Sequence, residues 1–420
     1  LELLHLLLHT LRDTPGGVAT RLLRDLQTLA QLADSRLPGQ IVESGGARGK
    51  GLTAEQQRVV DSELQPGECL VVTAFAGTGK TSTLREYAKA RIDHYKLLYV
   101  TFNLHNAVDA AATMPNVHPM TLDKLTLWLM NKLDETQLMV KKNSGSKPFE
   151  MQLKTSMVQK RFNPRLDKDQ MNATEAKLVI STLTRFCCSE DSVLAEEHVP
   201  KKQLRQYEER RQLRQKKPRQ RPDYLDCAEQ LWRGSLDPCD RHVPLTQAVI
   251  SKLAALQPAS RLAGLELPQS AQCIMVDEVQ DVTPCQATLL KKLCLECPVR
   301  LLLVGDPNQC IYQFRGAKDR VLRDIDADAP LRLRRCLSQS FRFGHSTAHI
   351  ASLLLKLKDE QRQVRGMPRW GEVWLHRAPP TAVGSAGARA LEMEQGPSPP
   401  FVALCKTNME IMTQALNCVR

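Results

Sequence analysis

Apolar and polar positions change their rhythm three times along the chain. In residues 1–37, Leu22, Leu23, Leu26, Leu29 and Leu32 recur at helical spacing and Pro15-Gly16-Gly17 interrupts them, which predicts two short amphipathic helices. Pro38-Gly39, Gly45-Gly46 and Gly51 then mark a linker. From Leu52 to about Met120, short apolar runs (Cys69-Leu70-Val71-Val72, Leu97-Leu98-Tyr99-Val100) alternate with helical stretches, the pattern of a parallel α/β sheet. Between about 123 and 242 the chain turns polar, helical and basic, and strand signals nearly vanish. They return at 273–276 and 299–304, so the middle reads as a helical insertion into one sheet domain. A Gly/Pro/Ser/Ala-rich stretch at 378–400 predicts a flexible loop, and Phe401-Val402-Ala403-Leu404-Cys405 a further strand. The expected division is a helical segment and linker at 1–51, a sheet domain from 52–122 plus 243–335, a basic helical insertion at 123–242, and the start of a second sheet domain at 336–420.

Composition narrows the class. With 420 residues, 42% of them hydrophobic, the chain can bury a sizeable core, which excludes fibrous or wholly disordered readings. Fifty-eight Lys and Arg against 46 Asp and Glu give a net charge of +12, an excess that suits an anionic partner, nucleic acid or an acidic membrane surface, more than a small metabolite. Ten of the basic residues crowd into 201–222 against only Glu208 and Glu209; this run reads as a solvated helix or loop, a phosphate-contacting surface or a nuclear import signal. No apolar run reaches the roughly 18 residues of a membrane span. The Leu-rich start lacks a basic flank and is broken by His5 and Arg12-Asp13, so a signal peptide is not expected. The 13 cysteines sit singly in apolar segments, which fits a reducing compartment, and neither Cys285 with Cys294 and Cys297 nor Cys227 with Cys239 and His242 supplies the two close pairs of a zinc site. The chain begins without Met, as a piece of a longer protein would.

Four segments carry chemistry. After the strand at 69–72 comes Ala74-Phe75-Ala76-Gly77-Thr78-Gly79-Lys80-Thr81, running into a helical Ser82-Thr83-Leu84. A Gly-rich turn at a helix start lets the backbone N–H groups of Ala76 through Ser82 converge on phosphates; Lys80 adds a point charge and Thr81 can ligate Mg²⁺. The glycine that usually opens this motif is Ala74 here. Downstream, the strand at 273–276 ends in Asp277-Glu278-Val279-Gln280-Asp281, placing Asp277 to hold Mg²⁺ and Glu278 to polarise the attacking water. The third segment, Leu302-Leu303-Val304-Gly305-Asp306-Pro307-Asn308-Gln309, ends on an amide able to sense a γ-phosphate, and Tyr312, Phe314 and Arg315 follow in a pattern that suits stacked bases beside a phosphate contact. Finally, Leu337-Ser338-Gln339-Ser340-Phe341-Arg342 brings a guanidinium that can stabilise charge on a transferring phosphoryl group.

In order and spacing these segments resemble the UvrD/Rep-like superfamily 1A DNA helicases, and the phrases Ala-Gly-Thr-Gly-Lys-Thr, Asp-Glu-Val-Gln-Asp and Gly-Asp-Pro-Asn-Gln-x-Ile-Tyr are most similar to the eukaryotic F-box DNA helicase branch. The resemblance spans about 52–420 and implies a RecA-like P-loop sheet domain with a helical basic insertion and part of a second RecA-like domain. It makes Leu52-Thr53-Ala54-Glu55-Gln56 an adenine-reading segment with Gln56 as the reader, and Phe341 the residue that stacks on the base. Thr101-Phe102-Asn103 corresponds to a motif that touches single-stranded DNA. Thr121 stands where the family's next DNA contact lies, although Thr121-Leu122-Asp123-Lys124 departs from the family's Thr-x-His-Ser, and Phe314 replaces a tryptophan common in bacterial relatives. The resemblance further implies ATP and Mg²⁺ as ligands, 3′-to-5′ movement on single-stranded DNA, nuclear work at replication forks and recombination intermediates, and ubiquitin-ligase partners bound through a region outside this chain. The family's later motifs are expected past Arg420, and an F-box upstream, since 1–37 lacks its Leu-Pro opening. Two rivals stand beside the helicase. One is a nucleotide-gated adaptor of a cullin-type ubiquitin ligase with a weak or inactive motor, against which the five phosphate-facing groups Lys80, Asp277, Glu278, Gln309 and Arg342 argue. The other is an RNA helicase of the same fold, because stacking tolerates either sugar.

Overall fold

The computed structural model describes residues 51–114, 116–133, 149–163, 170–212, 222–310, 332–356, 358 and 360–368. The two helices expected in 1–37, the loop at 378–400 and the strand at 401–405 lie outside them. In chain order come helix α1 (Ala54–Val60), strand β1 (Cys69–Ala74), α2 (Lys80–Lys89), β2 (Leu97–Thr101), α3 (Leu104–Thr113), β3 (Val117–Thr121) and α4 (Leu122–Leu133). Within the expected insertion come β4 (Phe149–Glu150), α5 (Thr155–Phe162), α6 (Ala173–Cys188), α7 (Lys201–Gln212) and α8 (Tyr224–Leu236). After β5 (Leu245–Thr246), α9 (Gln247–Leu256) and α10 (Ala259–Leu262), the sheet resumes with β6 (Cys273–Asp277), α11 (Pro284–Glu296), β7 (Arg300–Gly305) and β8 (Arg332–Leu337). Then come β9 (Gln339–Gly344), α12 (His345–Lys356) and β10 (Arg365–Met367).

Six strands form one sheet in the order β3-β2-β6-β7-β1-β8, every neighbouring pair parallel. The central strands are apolar at consecutive positions because helices cover both faces. Along each, alternate residues go to opposite cores. Val71, Leu98, Val100, Ile274, Val276, Leu301 and Leu303 face one side. Leu70, Val72, Leu97, Tyr99, Met275, Leu302 and Val304 face the other, where Val59 of α1 and Leu84 and Tyr87 of α2 meet them. Each fully buried aliphatic side chain of this kind contributes about 1.5–3 kcal/mol. The first core continues without a break through Leu125 and Leu129 of α4, Leu183 and Phe186 of α6, Leu231 of α8 and Ile250 of α9. The described parts of 123–242 therefore pack against one face of the sheet.

The strands expected at 69–72, 97–100, 273–276 and 299–304 are β1, β2, β6 and β7. The sheet gains two strands that the hydrophobic pattern does not announce, β3 and β8, one at each edge. β8 carries the chain to Leu337, two residues past the expected boundary at 335, because its six residues pair with all of β1 from Cys69 to Ala74. One residue later the chain enters a separate two-stranded sheet, β10-β9, with α12 packed beside it. Basic helix α7 keeps Lys201, Lys202, Arg205 and Arg210 exposed, while Tyr207 turns inward, its Oη accepting from Asn172 Nδ2 (2.8 Å). The rest of the basic run, 213–221, lies outside the described residues. Among the described residues no helix is long and apolar enough to cross a membrane.

Candidate nucleotide and nucleic-acid site

The carboxyl ends of β1, β6 and β7 open onto one place, the position where parallel α/β sheets put their ligands. β1 ends at Ala74, and the turn Ala76-Gly77-Thr78-Gly79 leads into α2, whose first residue is Lys80. Gly77 and Gly79 have φ of 74° and 76°, which only glycine adopts without strain, and no side chain caps the first turn of α2. The N–H groups of that turn stay directed outward, as an anion-binding helix start requires. Thr78 is buried, its Oγ1 donating to Phe75 O (2.8 Å), and Thr83 Oγ1 donates to Gly79 O (2.9 Å), so the turn is tied at both ends. Thr81 and Ser82 are exposed at its mouth.

Asp277 and Glu278 arrive from the end of β6. Asp277 is 1% exposed, and its Oδ2 accepts from Tyr99 Oη (2.8 Å) and from Thr81 Oγ1 (3.2 Å). Burial raises its pKa, the neighbouring Glu278 carboxylate adds to the rise, and the Tyr99 hydrogen bond and Lys80 oppose it. Such a carboxylate, beside a hydroxyl on the next element, forms an all-oxygen donor pair that suits a hard divalent cation. Glu278 sits in the left-handed region at φ 54°, a conformation costly for a residue with a Cβ. Its Oε2 takes an ion pair from Lys80 Nζ (3.0 Å) and a hydrogen bond from Gln280 Nε2 (2.8 Å). Gln280 Oε1 in turn accepts from Asp306 N at the end of β7 (3.0 Å). Gln309 lies one turn further, its Nε2 donating to Asp306 Oδ2 (2.6 Å).

The opposite wall comes from β9. Ser340 Oγ donates to Ala76 O (2.9 Å) and Phe341 N to Gly77 O (2.8 Å). A Cβ placed on Gly77 would stand 2.6 Å from Arg342 Cγ, and one on Gly79 would stand 2.8 Å from Gln56 Nε2 and 3.6 Å from Phe341 Cε2. Gln56 also donates from Nε2 to Thr78 O (3.4 Å), and Thr53 and Gln56 close a capping box that fixes the start of α1. Phe341 remains 46% exposed beside the turn although its backbone is pinned to it. The structure thus gathers Gln56, Ala76, Gly77, Thr78, Gly79, Lys80, Thr81, Asp277, Glu278, Phe341 and Arg342 around one glycine-rich turn.

A cleft of about 200 Å³ joins this place to the expected nucleic-acid residues: Glu278, Gln280 and Gln309 line it together with Thr101, Phe102 and Asn103. Asn103 caps α3, its Oδ1 accepting from His105 N (3.0 Å), and Thr121 Oγ1 accepts from Lys124 N (3.2 Å) at the start of α4. Both side chains thus shape loops at the same carboxyl edge of the sheet. Tyr312, Phe314 and Arg315 lie outside the described residues. A larger cleft, about 730 Å³, opens at the opposite ends of the strands around Tyr95, Gln272 and Arg300 and holds none of the expected residues. The thiols of Cys285, Cys294 and Cys297 face separate carbonyls, of Ser251, Val299 and Leu262.

Sequence reasoning missed Tyr99, Gln280, Ser340, Glu55 and Phe75. Gln280, Phe75, Ser340 and Glu55 sit inside the quoted motifs but carry no role that neighbouring residues announce, and Tyr99 sits in an apolar strand. Tyr99, Ser340, Glu55 and Phe75 act through partners more than 170 residues away in the chain.

Comparison with known proteins agrees with this geometry. The profile of the UvrD/REP helicase N-terminal domain matches residues 52–330. The chain is similar to F-box DNA helicase protein 1 of Schizosaccharomyces pombe, with 31% identity over 373 residues, covering 87% of this chain and 39% of the relative. It is similar also to F-box DNA helicase 1 of Gallus gallus (33% over 308 residues, 72% of this chain, 28% of the relative) and to the putative ATP-dependent DNA helicase YjcD of Bacillus subtilis (24% over 330 residues, 75% of this chain). The chain therefore spans well under half the length of these relatives.

Proposed function

Because this chain belongs to the UvrD/REP helicase family, we propose that it is the nucleotide-hydrolysing front part of an ATP-driven motor that moves 3′-to-5′ along single-stranded DNA. One observation carries the reading: Lys80, Thr81, Asp277, Glu278 and Arg342, from three separate parts of the chain, converge on one glycine-rich turn. Gln56 reads the adenine edge and Phe341 stacks on the base. Apart from Thr78, whose N–H donates to Phe75 O (3.3 Å), the N–H groups of 76–82 and Lys80 take the phosphates. Thr81 and Asp277 would hold Mg²⁺, which when bound neutralises phosphate charge. Glu278 orients the water, and Arg342 answers the charge that develops on the transferred phosphoryl group. Lys80 is drawn from Glu278 to the phosphates, which frees Glu278 Oε2 for the water while Gln280 keeps the carboxylate in place. Gln309, in the cleft shared with Phe102 and Asn103, relays hydrolysis to the DNA track, which Thr121, Tyr312, Phe314 and Arg315 extend.

The names of the yeast and chicken relatives, which are DNA helicases, support DNA over RNA; nuclear work at replication forks and recombination intermediates is the setting we propose for that activity. The intact phosphate-facing set supports a working motor over a ubiquitin-ligase adaptor. The test is the hydrolysis rate of this chain, and of a version continued past Arg420, with and without single-stranded DNA and matched RNA. Stimulation by DNA alone is expected. Nucleotide binding without turnover in either version would favour the adaptor.

Tyr99→Phe probes the cation site. Losing the Tyr99 donor frees the Asp277 carboxylate to rotate, and the Mg²⁺ concentration giving half-maximal nucleotide binding is expected to rise about tenfold. An unchanged Mg²⁺ requirement would remove Tyr99 from the site.

A further inference from the structure

Ser338 is the one residue between β8 of the large sheet and β9 of the small one. It is buried, and each of its polar atoms is taken. Its N–H donates to Glu55 Oε2 (2.6 Å), its Oγ donates to Glu55 Oε1 (2.7 Å), and its carbonyl accepts from Arg365 N of β10 (2.9 Å). Glu55 adjoins Gln56 on α1, and Ser338 lies three residues before Phe341. A single carboxylate thus spans the crossing from one sheet to the other, from the helix that presents Gln56 to the strand that presents Phe341 and Arg342. We propose that Glu55 is a positioning residue that registers β9 against α1, so that the two groups flanking the nucleotide base are held as one unit and selectivity for adenine depends on the Glu55–Ser338 clasp.

The physical argument rests on the number and direction of the bonds. Hydrogen bonds to a carboxylate are short and about twice as strong as neutral ones, and two of them on adjacent atoms fix orientation as well as distance. Next along β9, Ser340 and Phe341 bond Ala76 and Gly77 on the phosphate side. Among the described residues β9 is fastened to the phosphate turn by its own atoms, whereas its direct charged link to the base-reading helix is the Glu55–Ser338 clasp; the other ties are longer, Arg335 Nε of β8 to Arg58 O (3.5 Å) and Gln56 Nε2 to Thr78 O (3.4 Å). Without the clasp, α1 and Phe341 can shift relative to each other while the phosphate contacts persist. The expected signature is a loss of base discrimination with phosphate binding retained. Cys336 at the end of β8 lies near Glu55 and also near Arg362 and Glu360, and those two pair with each other (2.8 Å).

This inference rests on the reading of Gln56 and Phe341 as the base site, and the test separates the two. Affinities for ATP and GTP, with Mg²⁺ present, are measured by calorimetric titration on the 420-residue chain and on Glu55→Ala, Glu55→Gln, Ser338→Ala and Gln56→Ala. Glu55→Ala is expected to lower the ATP-over-GTP ratio about tenfold, mostly through weaker ATP binding, because two charge-assisted bonds are lost. Ser338→Ala keeps the backbone bond and should fall between Glu55→Ala and the native chain. Glu55→Gln should recover most of the preference, since its Oε1 accepts from Ser338 N and its Nε2 donates to Ser338 Oγ. A merely structural Glu55 would lower the melting temperature in Glu55→Ala and leave the ratio unchanged; that result overturns the proposal, as does a Gln variant no better than Ala. If Gln56→Ala leaves the ratio intact, or the native chain shows no preference for ATP, the base-site reading itself fails and the inference falls with it.

Discussion

Replacing Lys80 with alanine is expected to cut nucleotide hydrolysis by about 10²–10³-fold or more, the cost of removing one preorganised group that answers transition-state charge. The fold should survive. Lys80 is the first residue of α2, and the substitution removes no backbone bond and no apolar contact of the two main cores. Its ion pair with Glu278 at 3.0 Å is lost, but Glu278 keeps Gln280 as a partner and is partly exposed, so no carboxylate is stranded in the interior. A melting curve within a few degrees of the native one, together with the hydrolysis rate, distinguishes a lost catalytic group from a lost fold. Turnover at the native rate would mean that the glycine-rich turn is not where phosphates bind, and the assignments of Thr81, Asp277 and Glu278 would go with it.

The central strands and the phosphate turn were legible because their determinants are local. A run such as Leu70-Val71-Val72 or Leu301-Leu302-Leu303 is apolar at every position only when both faces are covered, and a glycine-rich turn between strand and helix has few other uses. The edge strands escaped for the opposite reason. β3 contains His118 and Pro119 and is mostly half-buried, which an edge tolerates and a centre does not. β8 reads Arg-Leu-Arg-Arg-Cys-Leu, three apolar residues broken up by arginines rather than a continuous apolar run, and it joins the sheet because β1 offers it a complete ladder. The same division holds at the site. Lys80, Asp277 and Glu278 are marked by their neighbours in sequence. Tyr99 is marked only by Asp277, 178 residues on, and Glu55 by Ser338, 283 residues on. A tyrosine inside an apolar strand or a glutamate in a first helical turn is ordinary until the partner is in place.

Phe75→Ala is expected to have the largest effect on stability. Phe75 follows β1 directly and lies within the phosphate-binding segment, yet its ring is 2% exposed in a small core of its own with Ala348 and Val364, flanked by Phe343 and Leu355. Those four residues belong to β9, to α12 and to the loop before β10, so the ring is the apolar peg that holds the second sheet onto the phosphate turn. Phe75 N also donates to Leu337 O (3.1 Å), and the Arg362 guanidinium lies 5.7 Å from the ring centroid. Truncating such a ring typically costs about 3–5 kcal/mol, and here most of the loss should fall on one side of the interface, because the large sheet keeps its own two cores. Amide hydrogen exchange at 339–367 should therefore accelerate well before exchange in β1, β6 and β7. Hydrolysis should fall too, since Ser340 and Phe341 hold Arg342 against Gly77 only while β9 stays docked. Phe75→Leu fills much of the same space and should restore most of both. Uniform exchange across the two sheets in Phe75→Ala would show that the second sheet is held by other contacts, and the position of Arg342 would then be independent of the peg.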